Sequence, residues 1–318
     1  MSQLLVIIVT YNAMRWIERC FASLAASTVA SDIFVVDNGS TDGTLDWLEE
    51  HRADNLTLRR SASNCGFGAG NNLGLSYALA RGYDYVYLLN QDAWVMPDCF
   101  EKLIVAARTH PGFGILSPLQ LQADGVTPDR LFEKHCGKSI ERSGAAGVWT
   151  EGVWEAEVKA AGVRDAEVRD AGMVPVKFVM AAHWLVTREC LEVTGGFSPT
   201  FPQYGEDDNY IDRARYWAFR TGVVPAAKAI HDRGQRPAKR EAQMRGKYLG
   251  CVARLSDPGR RHVWLRLAME CLRIVGMALR RLSPAMLLYL PRLVRAMPLI
   301  LRNRSASFHR RAFLDTST

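Results

Sequence analysis

The chain has 318 residues, 48% hydrophobic and 23% charged, with a formal net charge of +7. That balance excludes a disordered or fibrous chain and allows one large domain or two smaller ones with a substantial buried core. The seven cysteines are scattered without a CxxC pair, which argues against a disulfide framework or a cysteine zinc site and fits reduced thiols in a cytoplasmic protein.

The opening "MSQLLVIIVTYN" has no basic start and too short an apolar run for a signal peptide, so it reads as a first strand. Its run "LLVIIV" is the pattern of a strand buried on both faces of a parallel sheet. Residues 13–26 follow with Trp16, Ile17, Cys20, Phe21 and Leu24 at helical spacing. "IFVVDNGSTDGT" reads as a second buried strand ending in a polar loop, with a helix over Thr41–Glu50. "LTLRRS" is a third strand, "NNLGLSYALARG" a helix closed by Gly82, and "YDYVYLLN" a fourth strand. Strands alternating with helices at this spacing predict an α/β fold with a mostly parallel central sheet. Ligands of such sheets sit outside the carboxyl ends of the strands, so Thr10, Asp37, Asn90 and Asp92 should converge on one crevice.

Residues 147–171 carry a weak five-residue valine repeat that matches neither helix nor strand, and read as a variable insert. "VPVKFVMAAHWLVTREC" resumes strand character, and a loop then leads into a helix starting near Glu206. Residues 235–261 are polar and basic and read as a connector. From Arg260 to Arg311 there are twelve arginines, no lysine and one acid, Glu270, so the basic character belongs to the tail. On its first helix Arg266, Glu270, Arg273 and Arg280 share a narrow stripe, with apolar residues around the remainder. The longest uncharged stretch of the second, Leu282 to Pro291, is far short of the roughly 18 residues that span a bilayer. Wide apolar faces with marginal arginines predict helices at 262–311 lying in a membrane interface, with packing on the domain or on a second copy (a homo-oligomer) as the other reading. Nucleic acid is not expected, because the arginines are interleaved with long aliphatics. Residues 312–318 read as a loose end.

Asp37, alone, is equally a loop-capping residue or an acceptor for a base N–H or ribose hydroxyls. "NCGFGAGNN" is glycine-rich and enters a helix, so its amides could approach a phosphate, yet it is no P-loop. "YGEDDNYIDRA" puts Glu206, Asp207 and Asp208 at a helix start. One acid there is explained by the helix dipole; three in a row repel and should raise at least one pKa, as a general base requires. Arg213 and Arg215 lie further along and could offset that repulsion.

Taken in order, "VIIVTYN", "VVDNGSTDGT", "NCGFGAGNN", "LLNQDAWV", "VTGGFSPTFPQYGEDDNYIDRA" and "AIHDRG" resemble the inverting glycosyltransferase family 2 enzymes of GT-A fold, over residues 4–234. The resemblance implies a UDP- or dTDP-sugar donor, a lipid-linked or polysaccharide acceptor, Mn²⁺ or Mg²⁺ on the diphosphate, and a peripheral place at the inner face of the cell membrane. It implies Thr10, Tyr11 and Asp37 at the nucleoside, and Asn64, Gly66 and Asn71 near the sugar diphosphate. Asn90 and Asp92 then take the two ends of the D-x-D metal motif, with Gln91 on the donor side between them and His231 as a further ligand. Asp207 becomes the base that deprotonates the acceptor, with Glu206, Asp208, His183 and Trp184 on the acceptor side. Asn90 departs from the motif and lowers the ligand charge. Rhamnosyltransferases commonly show an amide beside the metal acid, as Gln91 does. A nucleotidyltransferase would want a basic phosphate loop that "NCGFGAGNN" lacks. A non-catalytic binding protein has no need of Asp92, Asp207 and His231 together.

Overall fold

The computed structural model describes residues 3–143, 172–233, 240–280 and 284–314. The first half runs β1 (Leu4–Thr10), α1 (Ile17–Ala25), β2 (Asp32–Asp37), α2 (Thr44–Glu50), β3 (Leu56–Arg60), α3 (Phe67–Arg81) and β4 (Tyr85–Asn90). Then come β5 (Ala93–Val95), α4 (Cys99–Thr109), β6 (Phe113–Leu121) and α5 (Arg130–Arg142). Beyond residue 171 lie β7 (Val174–Val176), β8 (His183–Thr187), α6 (Arg188–Thr194), α7 (Glu206–Tyr216) and β9 (Arg220–His231). The C-terminal helices are α8 (Arg240–Ser256), α9 (Val263–Arg280), a 3-10 turn at Pro284–Leu288, and α10 (Tyr289–Ala306). The expected insert at 147–171 lies outside the described residues.

One sheet carries the order β3-β2-β1-β4-β8-β6-β9-β5, with β7 added on β9. β3, β2, β1 and β4 are parallel. β8 runs against both β4 and β6, while β9 is parallel to β6. The segment at 174–190, where strand character was expected, forms two strands, because β7 pairs with β9 and β8 with β4. Alternation along β1 splits its side chains between two cores. Leu5 and Ile7 join Phe34, Leu75 and Trp184, while Leu4, Val6 and Ile8 join Ile17, Leu24 and Phe100. A strand covered on both faces has to be apolar throughout, which is why "LLVIIV" is unbroken.

Helix α3 starts at Phe67, before the predicted point, and Gly82 closes it in the left-handed conformation. Its glycines serve packing. A Cβ at Gly70 would meet Val9 Cγ1 at 2.9 Å, and one at Gly74 would meet Ile7 Cδ1 at 2.7 Å. The missing side chains let the helix lie close on β1.

The expected connector is a helix instead. Cys251, Val252, Ala253 and Leu255 of α8 are buried in a third core with Ile274, Met286, Tyr289, Leu293, Met297 and Ile300, which reaches the sheet-bearing part of the chain through Phe201. Of its basic residues Arg245 is exposed, and Arg254 pairs with Glu270 of α9 through two bonds of 2.7 Å. The loose end expected from residue 312 does not begin there. Gly196 N–H donates to Ala312 O, and Asn72 Nδ2 donates to Phe313 O, so the chain straps back on the sheet-bearing part as far as Leu314.

Candidate active site

The loops at the carboxyl ends of β1 and β2 are knotted together. Asp37 accepts from Thr10 Oγ1 (2.9 Å), Ser40 Oγ (2.5 Å), Gly39 N (3.2 Å) and Ser40 N (3.0 Å). Thr10 and Asp37 are buried. In this arrangement the carboxylate is saturated by Thr10 at the end of β1 and by its own loop, and the loop-organising role, one of the two the sequence allowed, is the one its contacts support. Asn12, at φ 54, accepts from Thr41 N, and Ala13 N donates to Thr44 Oγ1. Tyr11 stays half exposed at the rim.

Gln91 explains itself the same way. Its Oε1 accepts from Tyr11 N at 2.6 Å and its Nε2 donates to Tyr11 O at 3.1 Å, so the amide side chain pairs with a backbone unit like a neighbouring strand. Only an amide carries the donor and acceptor this requires; a carboxylate would leave Tyr11 O unmatched.

Asn64 Oδ1 takes the N–H of Gly66, whose φ of 88 is glycine's territory; a Cβ there would strike Pro202 O at 2.5 Å. Asn71, expected near a diphosphate, is buried and bonds Phe67 O one turn back within α3. It therefore faces the helix rather than the crevice.

Past β4, Asp92 lies with Oδ1 3.4 Å from His231 Nε2. Asp232 N donates to Asp92 O at 2.8 Å, which joins the end of β9 to the β4–β5 turn. Burial works to raise the Asp92 pKa, but the His231 bond and charge, with Arg233 beyond, bring it below the ordinary value. His231 is buried, and its Nδ1 accepts from Arg233 Nε at 3.1 Å. The same Nε lies 3.0 Å from Asp129 Oδ2.

Asp207 sits in the first turn of α7 behind Gly205, which is left-handed at φ 93. Its Oδ2 accepts from Ala181 N at 3.1 Å. The next residue, Ala182, receives the N–H of Asn90 at 3.1 Å. Two backbone links thus hold the α7 acid beside the end of β4. Burial first, then the charge of Glu206, push the Asp207 pKa up to about 8. Burial and the Asp208 charge also raise Glu206, whose Oε2 has no partner among the described residues, and burial raises Asp208. The expected offset from Arg213 is absent. That guanidinium is wholly buried and donates to the carbonyls of Thr194 and Gly196 and to Asn209 Oδ1.

His183 and Trp184, expected to face an acceptor, do not. His183 is completely buried between Tyr87 Oη (2.9 Å) and Ile230 O (3.0 Å), and burial, then the His231 charge, hold its pKa down at about 3. Trp184 lies in the core against Tyr210 and Phe197. Being strand residues inside a two-faced sheet, both are enclosed whichever way they point.

Residues 5–140 match the family model described as Glycosyl transferase family 2. Over those residues the chain resembles the family 2 glycosyltransferases. The chain is 27% identical over 235 residues to an N-acetylglucosaminyl-diphospho-decaprenol L-rhamnosyltransferase of Mycobacterium tuberculosis, covering 71% of this chain and 75% of the relative. It is 32% identical over 110 residues to an undecaprenyl-phosphate mannosyltransferase of Micrococcus luteus, 34% of this chain and 45% of that one. Among solved structures, S. aureus TarS 1–349 in complex with UDP-GlcNAc superposes with a TM-score of 0.57 at 16% identity, over 96% of this chain and 88% of that one. The shared element is the GT-A fold.

The residues present fit a divalent cation in part. Among the described residues no three His, Cys, Asp or Glu side chains gather, so the protein offers one carboxylate and one imidazole, with Asn90 at the neighbouring strand end. That donor set leaves most positions to other oxygens, which suits a cation shared with a diphosphate. A cation on His231 Nε2 needs the proton on Nδ1, and Arg233 must then release that nitrogen. Arg233 is the glycosyltransferase residue that sequence reasoning missed. Its charge reaches Asp92 and Asp207 alike. The signal was its place two residues after His231.

Proposed function

We propose that this glycosyltransferase moves a sugar, with inversion, from a UDP- or dTDP-linked donor to a hydroxyl of a lipid-linked or oligosaccharide acceptor at the inner face of the cell membrane. The observation that carries the reading is Asp207, a carboxylate with a raised pKa tethered through Ala181 and Ala182 to the strand end that bears Asp92. A base must be able to take a proton near neutral pH, and burial beside Glu206 supplies that affinity. Asp207 accepts the acceptor's hydroxyl proton as that oxygen attacks the anomeric carbon, and the bond to the nucleotide diphosphate breaks on the opposite side. Asp92 and His231, with Asn90 at the edge, would hold Mn²⁺ or Mg²⁺, which when bound neutralises charge on the diphosphate. The knotted loops after β1 and β2 give the nucleoside a rigid wall at Tyr11. The lipid-linked acceptor is supported by the rhamnosyltransferase and mannosyltransferase relatives, whose names carry polyprenyl groups, and by the apolar outer face of the C-terminal helices.

The test is Asp207→Asn. Transfer should fall by about 10²- to 10⁴-fold, while calorimetry should return an unchanged affinity for UDP or dTDP. If nucleotide binding collapses with it, Asp207 is a structural acid and the assignment of the base is wrong.

A further inference from the structure

Between α7 and α8 lies a cavity of about 380 Å³ that the crevice does not include. One wall is the outer face of α7, with Asp208, Ile211, Asp212 and Arg215; the other is α8, with Gly250, Ala253 and Arg254. Lys177 and Phe178 close one end and Arg260 borders it. Two of these connections lead to the base. Asp208 directly follows Asp207 on α7. Lys177 and Phe178 open the segment that runs to Ala181, whose N–H holds the Asp207 carboxylate. Asp207 itself does not line the cavity, which lies one residue further along α7 on the side that faces α8.

Its chemistry selects the ligand. Four cations suggest an anion site, but three already have acids. Arg254 is bound to Glu270, Arg260 to Asp257 at 2.6 Å and Arg215 to Asp212 at 2.7 Å. An anion would meet neutralised cations and two facing carboxylates. A neutral polyol meets what it needs. Among the described residues the Asp208 carboxylate takes no hydrogen bond and Lys177 is in no ion pair, so both have capacity for hydroxyls. The Phe178 ring and Ile211 supply an apolar wall for the C–H face of a ring. Gly250 and Ala253 keep the space open. The volume is at the lower end of the range for small-molecule sites, about 300–1,000 Å³, which suits one ring rather than a chain.

We propose that the cavity between α7 and α8 is a saccharide site that holds one pyranose unit of the acceptor, aligning the acceptor on Asp207. This rests on the transferase reading for the identity of the occupant, while the cavity's affinity for a sugar ring can be tested by itself.

The experiment is saturation-transfer NMR on the full chain with methyl glycosides of N-acetylglucosamine, glucose, galactose, mannose and rhamnose, paired with calorimetry of UDP and dTDP. At least one glycoside should receive saturation on its ring protons. Gly250→Leu should abolish that signal by filling the cavity; a Cβ there meets only Arg254 Nη1, a flexible end, at 3.3 Å. Lys177→Ala, at an exposed position that leaves folding intact, should weaken binding roughly tenfold through the loss of a charged donor. Nucleotide affinity should be unchanged in both. No saturation of any glycoside, or equal saturation in wild type and both variants, would overturn the proposal. Glycoside binding that follows the expected pattern without any nucleotide binding would uphold the cavity and sink the donor assignment instead.

Discussion

Asp207 is held at about 8 against an ordinary value of 3.8, so folding favours its protonated form. For an acid raised in this way the stabilisation is complete below the unfolded pKa and is lost as pH rises through the folded one. Wild type should therefore lose thermal stability relative to Asp207→Asn as pH rises from about 4 to about 8. A constant difference in melting temperature across that range would show that Asp207 ionises normally. Transfer by the free enzyme should rise along a limb in the same region, since only the carboxylate accepts a proton. The acid itself was legible in the sequence, because three consecutive acids exceed what a helix start needs. Asp37 was legible only as an alternative: its four donors come from Thr10, Gly39 and Ser40, and no local pattern shows which bonds close in the fold. Gln91 was expected on the donor side and is a clamp on Tyr11, a partner eighty positions earlier in the chain.

Helix α3 shows how an element can be read correctly and its residues misread. Its glycines suggested a phosphate approach, yet Gly70 and Gly74 face Val9 and Ile7 across a close helix–strand contact. Gly74→Ala sets a helix-propensity gain of about 1 kcal/mol against an overpacking cost of about 1–3 kcal/mol. It should come out destabilising by about 1 kcal/mol in urea unfolding. Gly246→Ala, in α8 with open space around its Cβ position, should instead stabilise by about 0.5–1 kcal/mol. If both variants gain stability, α3 has room to shift and the close contact does not constrain the fold. Helix α8 is the element that composition concealed. Its charges gave it the profile of a linker, and its burial depends on packing against α9 and α10, which no pattern within its own segment reveals.

At the scale of the whole molecule, the C-terminal helices turn an apolar side to solvent. Glu270 of the predicted polar stripe points inward to Arg254, while Trp264, Leu265, Met269, Leu272 and Leu279 are between 51% and 72% exposed. In α10 the Tyr289, Leu293, Met297 and Ile300 side packs inward, leaving Val294 with Arg292 and Arg295 outside. By length and composition Pro284–Ala306 is apolar enough to cross a membrane, more so than its longest uncharged run suggested. An apolar face edged by arginines is complementary to an anionic lipid surface. The protein should sediment with vesicles containing phosphatidylglycerol, less so at high salt. Leu272→Asp with Leu279→Asp should release it while leaving UDP binding intact. If the double variant still sediments, another surface makes the contact; if wild type stays in solution and light scattering finds a dimer that the variant lacks, the face belongs to a second copy.

The sequence by itself determined the alternation of strands and helices, the buried character of β1, β2 and β4, the order of the polar strand ends and the acid triplet on α7. These follow from periodicity and local charge, which act between residues a few positions apart. Long-range packing alone settled that Asp37 is saturated by Thr10 and its own loop, that His183 and Trp184 are core, that Arg233 faces His231, and that Glu270 of α9 turns inward to Arg254. Each of those depends on which long-range partner satisfies a hydrogen bond or covers a surface. The chain's local pattern leaves that choice open, and packing closes it.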